Sequence, residues 1–412
     1  MHDDRHLAKR HRQLRFKLIG LLSGTLLCAI LFTAVANRSL STVDYVNTDF
    51  VVFWHTGKIL AAGDNPYDPF VWISSQQSVG SVLLPKTRFL YPLMTAFLFL
   101  PLGLLSLPTA YYFWIIMSQC LVAISLRLLL VTEKVTCYPH LILPILAGIM
   151  LFRPTLLIVQ NGQMSGVLLL IICGVIYLWE RGDYRMGGVI LSLLIIKPNI
   201  GLPMIVILTV WLLFKRRKAA LTACLSACFA LIVLTMLYNP YWIGEFLQAG
   251  RSQMSEFLMQ TPTIPGCAAR LIRSSGMQAL ILGGAVGGVI LMVSGAFLWR
   301  HRDSINDRMA ICLAIIVTLM LTPYAWPYDQ LLLIVPFVTV MTMMMHGGYP
   351  YLLFASLFIV VDAIAFVLLK ISSAAQTENY SVILTLLALC LLVWQIRREF
   401  TDGQRCRKLF EI

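Results

Sequence analysis

The chain has 412 residues, of which 59% are hydrophobic and only 12% are charged. Apolar runs of about 20 residues, the length that crosses the hydrocarbon core of a bilayer, recur along it, beginning with LIGLLSGTLLCAILFTAVA at 18–36. Soluble cores in a chain of this size cannot hide so much apolar surface. The composition therefore excludes a soluble protein and predicts an all-α polytopic membrane protein.

The net charge of +13 comes from 32 Lys and Arg residues against 19 Asp and Glu residues. A soluble protein with this excess would be a candidate for nucleic-acid binding. In a membrane protein, Lys and Arg collect in the cytoplasmic loops, so we interpret the charge as a topology signal and predict no nucleic-acid partner. The ten cysteines show no CxxC pair and no zinc-ligand spacing, so we predict no metal site among them.

The apolar runs predict about twelve transmembrane helices in one domain at 18–397, between a basic tail at 1–17 and a second tail at 398–412. The runs lie near 18–36, 109–131, 138–160, 163–179, 186–197, 199–214, 219–238, 276–299, 309–323, 328–345, 350–370 and 380–397. Because the spans at 186–197 and 199–214 are short and meet at KPN, we expect them to line a cavity.

One further apolar segment, 89–107, is interrupted by Pro92, Pro101 and Gly103. If this segment does not cross the bilayer, the predicted cytoplasmic segments hold 22 of the 32 Lys and Arg residues; if it crosses, 16 of those 22 face outward. Positive charges resist translocation, so we predict a re-entrant or surface-lying segment with both termini cytoplasmic. The large outer loops are then 37–108 and 239–275, and the short outer turns are 160–163, 197–199, 323–329 and 370–380.

The stretch NTDFVVFWHTGKILAAGDNPYDPF, at 47–70, carries unusual polarity for this chain. We predict that Thr48 caps a helix that holds Asp49 in its first turn and ends at Gly63. Helical spacing puts Lys58 on the face opposite Asp49, and the helix dipole favours an ionised carboxylate at that position. Asp49 is thus either a candidate general base or a helix cap.

Other polar residues of the predicted outer segments are candidates for substrate binding: His55, Tyr67, Asp68, Asn161, Gln163, Lys197, Arg270, Arg273, Tyr328 and Asp329. Each has a structural alternative. The GDNPYDP stretch is typical of a rigid turn, the amides cap helices as readily as they bind hydroxyl groups, and interfacial aromatic residues form belts.

The cationic candidates have two interpretations each. Lys197 either snorkels to the interface or holds an anionic phosphate. Arg270 and Arg273 are spaced i, i+3, so they can clamp one phosphate if the segment is helical; the alternative is contact with lipid headgroups. Asp362 lies inside a predicted span without an obvious partner, and the sequence predicts no role for it.

Several nucleotide-binding patterns do not occur in the chain: GxxxxGK[ST], a GxGxxG after a strand, and the DxD that nucleotide-sugar enzymes use to hold a metal. Their absence favours a membrane-borne anionic substrate over a soluble nucleotide donor.

Five stretches follow one another between about Asp49 and Gln330: TDFVVFWHTGKILAAGDNPYDP, YPLMTAFLFLPLGLLS, NGQMSGVLLL, GGVILSLLIIKPNIGLP and TPYAWPYD. Together they resemble glycosyltransferase family 87, membrane enzymes of the GT-C fold that include bacterial polyprenol-phosphate-mannose-dependent mannosyltransferases. The resemblance implies a GT-C fold with juxtamembrane helices in the first outer loop. It also implies a polyprenyl phosphate sugar as donor, a hexose or pentose with mannose favoured, and inversion at the anomeric carbon.

In the resemblance, Asp49 matches the acidic residue expected to deprotonate the acceptor, and Gln163 and Lys197 match recurrent positions near the cavity. No cofactor or metal is implied. Some relatives carry histidine in the stretch that corresponds to 322–330, where this chain has tyrosines and Asp329; His55 is the nearest substitute in sequence.

The expected partners are the donor, a lipid or glycan acceptor and membrane lipids. The expected place is the extracytoplasmic face of the cytoplasmic membrane. A transporter or flippase and a non-catalytic scaffold are the alternative functions.

Overall fold

The computed structural model describes residues 45–76, 79, 81, 87–132, 139–274, 277–346 and 352–410. These residues form α-helices joined by short turns and five 3-10 segments, and no β-strand occurs among them. The predicted all-α class is therefore confirmed. The predicted tail at 1–17 and the first predicted span at 18–36 lie outside the described residues.

The α-helices are numbered in chain order over the described residues. They are α1 (Phe50–Ala61), α2 (Pro69–Gln76), α3 (Leu93–Gly103), α4 (Leu107–Thr132), α5 (Pro139–Leu151), α6 (Arg153–Asn161), α7 (Ser165–Glu180), α8 (Tyr184–Ser192), α9 (Pro198–Phe214), α10 (Lys218–Tyr238), α11 (Trp242–Phe257), α12 (Ile264–Leu271), α13 (Met277–Arg300), α14 (Asp307–Leu321), α15 (Ile334–His346), α16 (Leu352–Ala375) and α17 (Val382–Phe410).

Six helical stretches of the described residues are long and apolar enough to cross a membrane, as expected for a polytopic membrane protein. They are Leu107–Thr132, Lys218–Tyr238, Met277–Arg300, Pro327–Met345, Ser356–Ala375 and Asn379–Arg398. The remaining predicted spans within the described residues are shorter or broken helices. The run 138–160 is divided at Phe152 into α5 and α6, because Pro154 is accommodated only in the first turn of a new helix.

The interrupted segment 89–107 contains α3, whose 11 residues extend only about 16 Å. This is about half the thickness of the hydrocarbon core, so α3 is too short to cross it. Instead α3 lies parallel to α1: Phe53 stacks on Phe99 with ring centroids 4.5 Å apart, and a Cβ built on Gly57 would lie 2.2 Å from the Phe99 carbonyl oxygen. The first loop thereby forms a tightly packed helical layer.

Long-range contacts bring the predicted outer turns together at one end of the molecule. The Asn379 side-chain amide donates to the Thr261 carbonyl at 2.7 Å, and the Asn199 amide donates to the Tyr324 carbonyl. We call this the Asp49 end, since Asp49 contacts the same group of turns, as described below.

The predicted cytoplasmic turns meet at the other end, which we call the Arg308 end. Arg308 forms an ion pair with Glu180 and donates to the Thr132 carbonyl at 3.2 Å. Tyr184 donates its hydroxyl to Asp307 at 3.0 Å. The turns thus separate into the same two groups that the charge count predicts.

Candidate active site

Asp49 stands at the N-cap position, one residue before α1, and not in the first turn of the helix. The predicted cap is different too: the Thr48 hydroxyl donates to the Tyr45 carbonyl at 3.0 Å. The helix ends at Ala61, and Gly63 follows with φ +83°. Because the Asp49 carboxylate makes no capping hydrogen bond to its own helix, it is available to groups from other parts of the chain.

Gln163 is the residue that meets this carboxylate. Its Nε2 donates to Asp49 Oδ2 at 2.6 Å, and the Gln163 side chain is buried. Gln163 Oε1, by contrast, is buried with no hydrogen-bond partner among the described residues. The Asp49 carboxylate is therefore hydrogen-bonded to Gln163. The amide oxygen of Gln163 remains as an unused hydrogen-bond acceptor beside it.

The turn that carries Gln163 is fixed by Gly162, which ends α6 in the left-handed region at φ +64°. A Cβ on Gly162 would lie 2.5 Å from Phe50 Cβ, so only glycine permits the turn to approach the start of α1 this closely. The Trp114 indole N–H donates to the Gly162 carbonyl at 2.8 Å and holds the turn from the other side.

Lys197 lies at the junction of the two short predicted spans, 186–197 and 199–214, where the helix is interrupted. A 3-10 segment, Leu193–Ile196, ends just before Lys197, and α9 begins just after it, at Pro198. The ammonium forms an ion pair with Asp329, and the two side chains are 2% and 0% exposed. Lys197 therefore does not snorkel to the surface; it is a buried charge.

Both carboxylate oxygens of Asp329 accept hydrogen bonds, and one of them binds the Lys197 ammonium. Oδ1 accepts from Lys197 and, at 2.7 Å, from the Ser165 hydroxyl, while Oδ2 accepts from the Trp326 backbone N–H at 3.1 Å. The Tyr328 ring lies under the ammonium, 4.8 Å from its centroid. Asp329 is thus positioned to fix Lys197.

Burial raises the pKa of the Asp49 carboxyl above its ordinary value of 3.8. The hydrogen bond from Gln163 and the positive charge of Lys197 oppose this shift, and the negative charge of Asp329 adds to it. A carboxyl group with a raised pKa is a better match for proton abstraction near neutral pH.

Two tyrosines complete the surroundings of Asp49. Burial raises the pKa of the Tyr91 hydroxyl well above its ordinary value, so the hydroxyl stays protonated at neutral pH. Tyr324 lies close enough to interact electrostatically with Tyr91 and Tyr328. Neither tyrosine was among the candidates drawn from the sequence, although Tyr91 opens one of the five stretches quoted above and Tyr324 lies in another.

Tyr67 and Asp68 stabilise the first outer loop through hydrogen bonds to its backbone. The Tyr67 hydroxyl donates to the Tyr91 carbonyl at 2.6 Å, and Asp68 Oδ1 accepts from the Phe70 backbone N–H at 2.8 Å, which caps α2. Asn161 is the last residue of α6 and is partly exposed.

His55 belongs to a different contact. Its Nε2 lies 3.0 Å from the Ser75 hydroxyl, and its ring meets the Trp72 ring edge-on at 4.7 Å. Burial lowers the pKa of His55 to about 4, so the ring is neutral at pH 7. His55 joins α1 to α2 and does not take part in the group around Asp49.

Arg270 and Arg273 are both exposed. The helix that carries Arg270 ends at Leu271, and Arg273 has a left-handed φ of +52°. The predicted clamp required one continuous helix through both residues, so the structure does not form it.

The described residues contain no group of three or more His, Cys, Asp or Glu side chains that could hold a metal ion. Within the chain as a whole, a sequence model of glycosyltransferase family 87 matches residues 89–323, more than half of its length. The matched range includes Tyr91, Gln163 and Lys197, whereas Asp49 and Asp329 lie outside it. No curated protein matches the chain.

Proposed function

Because this chain belongs to glycosyltransferase family 87, we propose that it transfers a hexose or pentose, with mannose favoured, from a polyprenyl phosphate sugar to an acceptor hydroxyl. One observation carries the proposal: the Asp49 carboxylate, held by Gln163 at 2.6 Å, lies within electrostatic reach of the buried Lys197–Asp329 pair. An inverting transfer of a sugar from a lipid phosphate requires a base for the acceptor hydroxyl and a cation for the leaving phosphate.

Asp49 is the general base in this reaction. The acceptor oxygen attacks the anomeric carbon from the face opposite the phosphate, and its proton passes to the Asp49 carboxylate. The bond between the anomeric carbon and the phosphate oxygen breaks, and its electron pair stays on the polyprenyl phosphate. The total charge of the site is unchanged, because Asp49 loses its negative charge as the phosphate gains one.

Lys197 stabilises the leaving phosphate. Its ammonium is held in place by Asp329 and Tyr328, so it needs no reorganisation when negative charge develops. Arg270 and Arg273 are exposed, and we assign them to attraction of the lipid headgroup or donor phosphate at the surface.

Gln163 and the tyrosines bind the sugar or the acceptor. The free Gln163 Oε1 is an acceptor for a substrate hydroxyl, and leaving it unpaired in a buried site is unfavourable. Tyr91, Tyr324 and Tyr328 add hydroxyl groups and ring faces, the chemistry that suits a carbohydrate.

The location follows from the charge distribution and the family. We place the Asp49 end on the extracytoplasmic face of the cytoplasmic membrane, because the Arg308 end gathers the basic turns that resist translocation. We expect a GT-C fold with about twelve spans, in which the packed α1–α3 layer is the juxtamembrane part of the first outer loop.

The test is a transfer assay. Purified protein is incubated with radiolabelled polyprenyl phosphate sugars and with lipid and glycan acceptors, with and without a chelator; nucleotide sugars serve as comparison donors. We expect acceptor-dependent release of polyprenyl phosphate from one of these donors. Transfer only from a nucleotide sugar, or flux of intact donor across proteoliposomes without transfer, would overturn the proposal.

A further inference from the structure

A cavity with several basic lining residues lies at the Arg308 end, on the opposite side of the molecule from Asp49. Its volume is about 480 Å³, which is in the size range of small-molecule sites. Its charged and aromatic lining residues are Asp183, Tyr184, Arg185, Arg216, Arg217 and Lys218. Four cations converge there on one space, and the transfer reaction proposed above uses none of them.

Two turns that end helices form the cavity, and both have the same backbone hydrogen bond, from an N–H to the carbonyl five residues earlier. After α7, Asp183 N–H donates to the Leu178 carbonyl at 2.9 Å, and after α9, Arg217 N–H donates to the Leu212 carbonyl at 2.8 Å. Each turn requires one left-handed residue. The first turn uses Gly182 at φ +82°, and the second uses Arg216 at φ +55°.

Glycine is the residue that this position favours, because a side chain there meets the following carbonyl. The chain therefore places an arginine where the backbone prefers glycine, at the edge of the cavity. A topological bias towards Lys and Arg explains cations at this end, but it does not explain this position.

The carboxylates near the cavity, Asp183 and Asp307, already accept hydrogen bonds from other groups of the chain. The Asp183 carboxylate caps α8 by accepting from the Met186 N–H at 3.0 Å. Asp307 accepts from the Tyr184 hydroxyl at 3.0 Å, and Arg217 stacks over the Tyr184 ring at 4.0 Å.

The other three cations of the lining are available to a ligand. Arg185, Arg216 and Lys218 form no ion pair within the described part of the chain.

Two parallel helices begin at the cavity, α8 at Tyr184 and α10 at Lys218. A Cβ on Gly188 would lie 2.3 Å from the Ala220 carbonyl oxygen, so the two helices pack closely and their positive dipole ends add. The backbone N–H groups of Arg185 and Ala219 form no backbone hydrogen bond in the described structure, and such groups bind phosphate oxygens well.

We propose that this cavity binds a phosphate group, either of an anionic lipid headgroup in the adjacent leaflet or of a free phosphate. Arg216 is its central cation, with Arg185 and Lys218 beside it. The site is distinct from the transfer site and lies where α8 begins, at the other end of the helical segment that leads to Lys197.

The experiment is native mass spectrometry of the purified full chain titrated with phosphatidylglycerol and, for comparison, phosphatidylcholine. Arg216→Gly keeps the turn, since glycine adopts φ +55° without strain, and removes one charge. Arg302→Gln is the matched control: it also removes one charge at this end, from an exposed side chain outside the cavity.

We expect wild type to retain phosphatidylglycerol in preference to phosphatidylcholine, and Arg216→Gly to weaken that binding by about tenfold, the loss of one charge-assisted hydrogen bond. Arg185→Gln should weaken it similarly, and Arg302→Gln should not. Displacement by millimolar inorganic phosphate identifies a free-anion site, and resistance to it identifies a headgroup site. Equal weakening by Arg216→Gly and Arg302→Gln, or binding of neither phosphatidylglycerol in preference to phosphatidylcholine nor inorganic phosphate, would overturn the proposal.

Discussion

The ion pairs at the two ends of the molecule differ in how far they are buried. At the Asp49 end, Lys197 and Asp329 form a pair with side chains 2% and 0% exposed. At the Arg308 end, Arg308 and Glu180 are 13% and 33% exposed, and Arg302 and Asp303 only approach to 4.0 Å with 38% and 92% exposure. A buried charge requires its partner, whereas exposed pairs are screened by solvent.

The number of charged residues and the burial of a charged residue thus carry different information: the first indicates topology, and the second indicates a site. If the cations at the Arg308 end act mainly as a topology signal, replacing a single one outside the cavity should have little effect. Lys197 and Asp329 are buried against each other, so we expect replacing either one to have a large effect. Substitutions at the two ends should therefore differ in size, and the following ones test that difference.

The largest effect is expected from Asp49→Asn, because the amide cannot accept the acceptor proton. Loss of a general base lowers the rate by about 10²- to 10⁴-fold. Transfer from the polyprenyl phosphate sugar, measured at saturating donor, checks this. Asp68→Asn is the control: asparagine also caps a helix, so activity should persist. Asp49→Asn protein that turns over like wild type would remove Asp49 from the mechanism.

Next comes the buried ion pair. Lys197→Met leaves Asp329 buried without its partner, and we expect a loss of about 3–5 kcal/mol in the free energy of unfolding. The double variant Lys197→Met/Asp329→Asn removes both charges and should recover most of that stability without recovering transfer. Unfolding of the single and double variants in detergent gives the coupling free energy. Additive losses would show that the two charges are not coupled.

Gly162→Ala tests the turn that presents Gln163. The left-handed backbone costs about 1–2 kcal/mol for a non-glycine residue, and the contact with Phe50 adds about 1–3 kcal/mol of overpacking. Gly63→Ala is the matched control, because Gly63 is also left-handed but nothing lies within 4 Å of its Cβ; only the backbone cost should appear. Thermal unfolding compares the two, and equal losses would contradict the close approach to Phe50.

Arg308→Gln should have the smallest effect. Its pair with Glu180 is partly exposed, so we expect a loss of about 1 kcal/mol or less and unchanged transfer activity. The same unfolding and transfer assays apply. A loss as large as that of Lys197→Met would erase the contrast between the two ends.

The sequence predicted the helical class and the separation of turns into two ends, and the structure agrees with both; the role of Asp49 as the base stays a prediction. Each of these depends on local composition, on charge or on a motif. The hydrogen bond to Gln163 and the pair of Lys197 with Asp329 join residues 114 and 132 positions apart, so only the tertiary fold reveals them.

Some local details were also beyond sequence reasoning. The break at Phe152 was hidden inside an apolar run, since hydropathy is insensitive to a helix that restarts around a proline. The continuous helix that the phosphate clamp of Arg270 and Arg273 required does not form, because the helix ends between them, where no glycine or proline marks the stop. Tyr91 was missed because a single tyrosine before a proline carries no chemical signature.

The most direct test of Asp49 as the base is the pH dependence of kcat/KM for wild type and Gln163→Leu. Transfer requires the ionised carboxylate, so activity should fall as the pH falls through the raised pKa of Asp49, above the ordinary value of 3.8. Gln163→Leu removes a hydrogen bond that favours ionisation, so the acidic limb should move to higher pH. An acidic limb that lies at the ordinary carboxyl value, or that does not move in Gln163→Leu, would contradict the assignment.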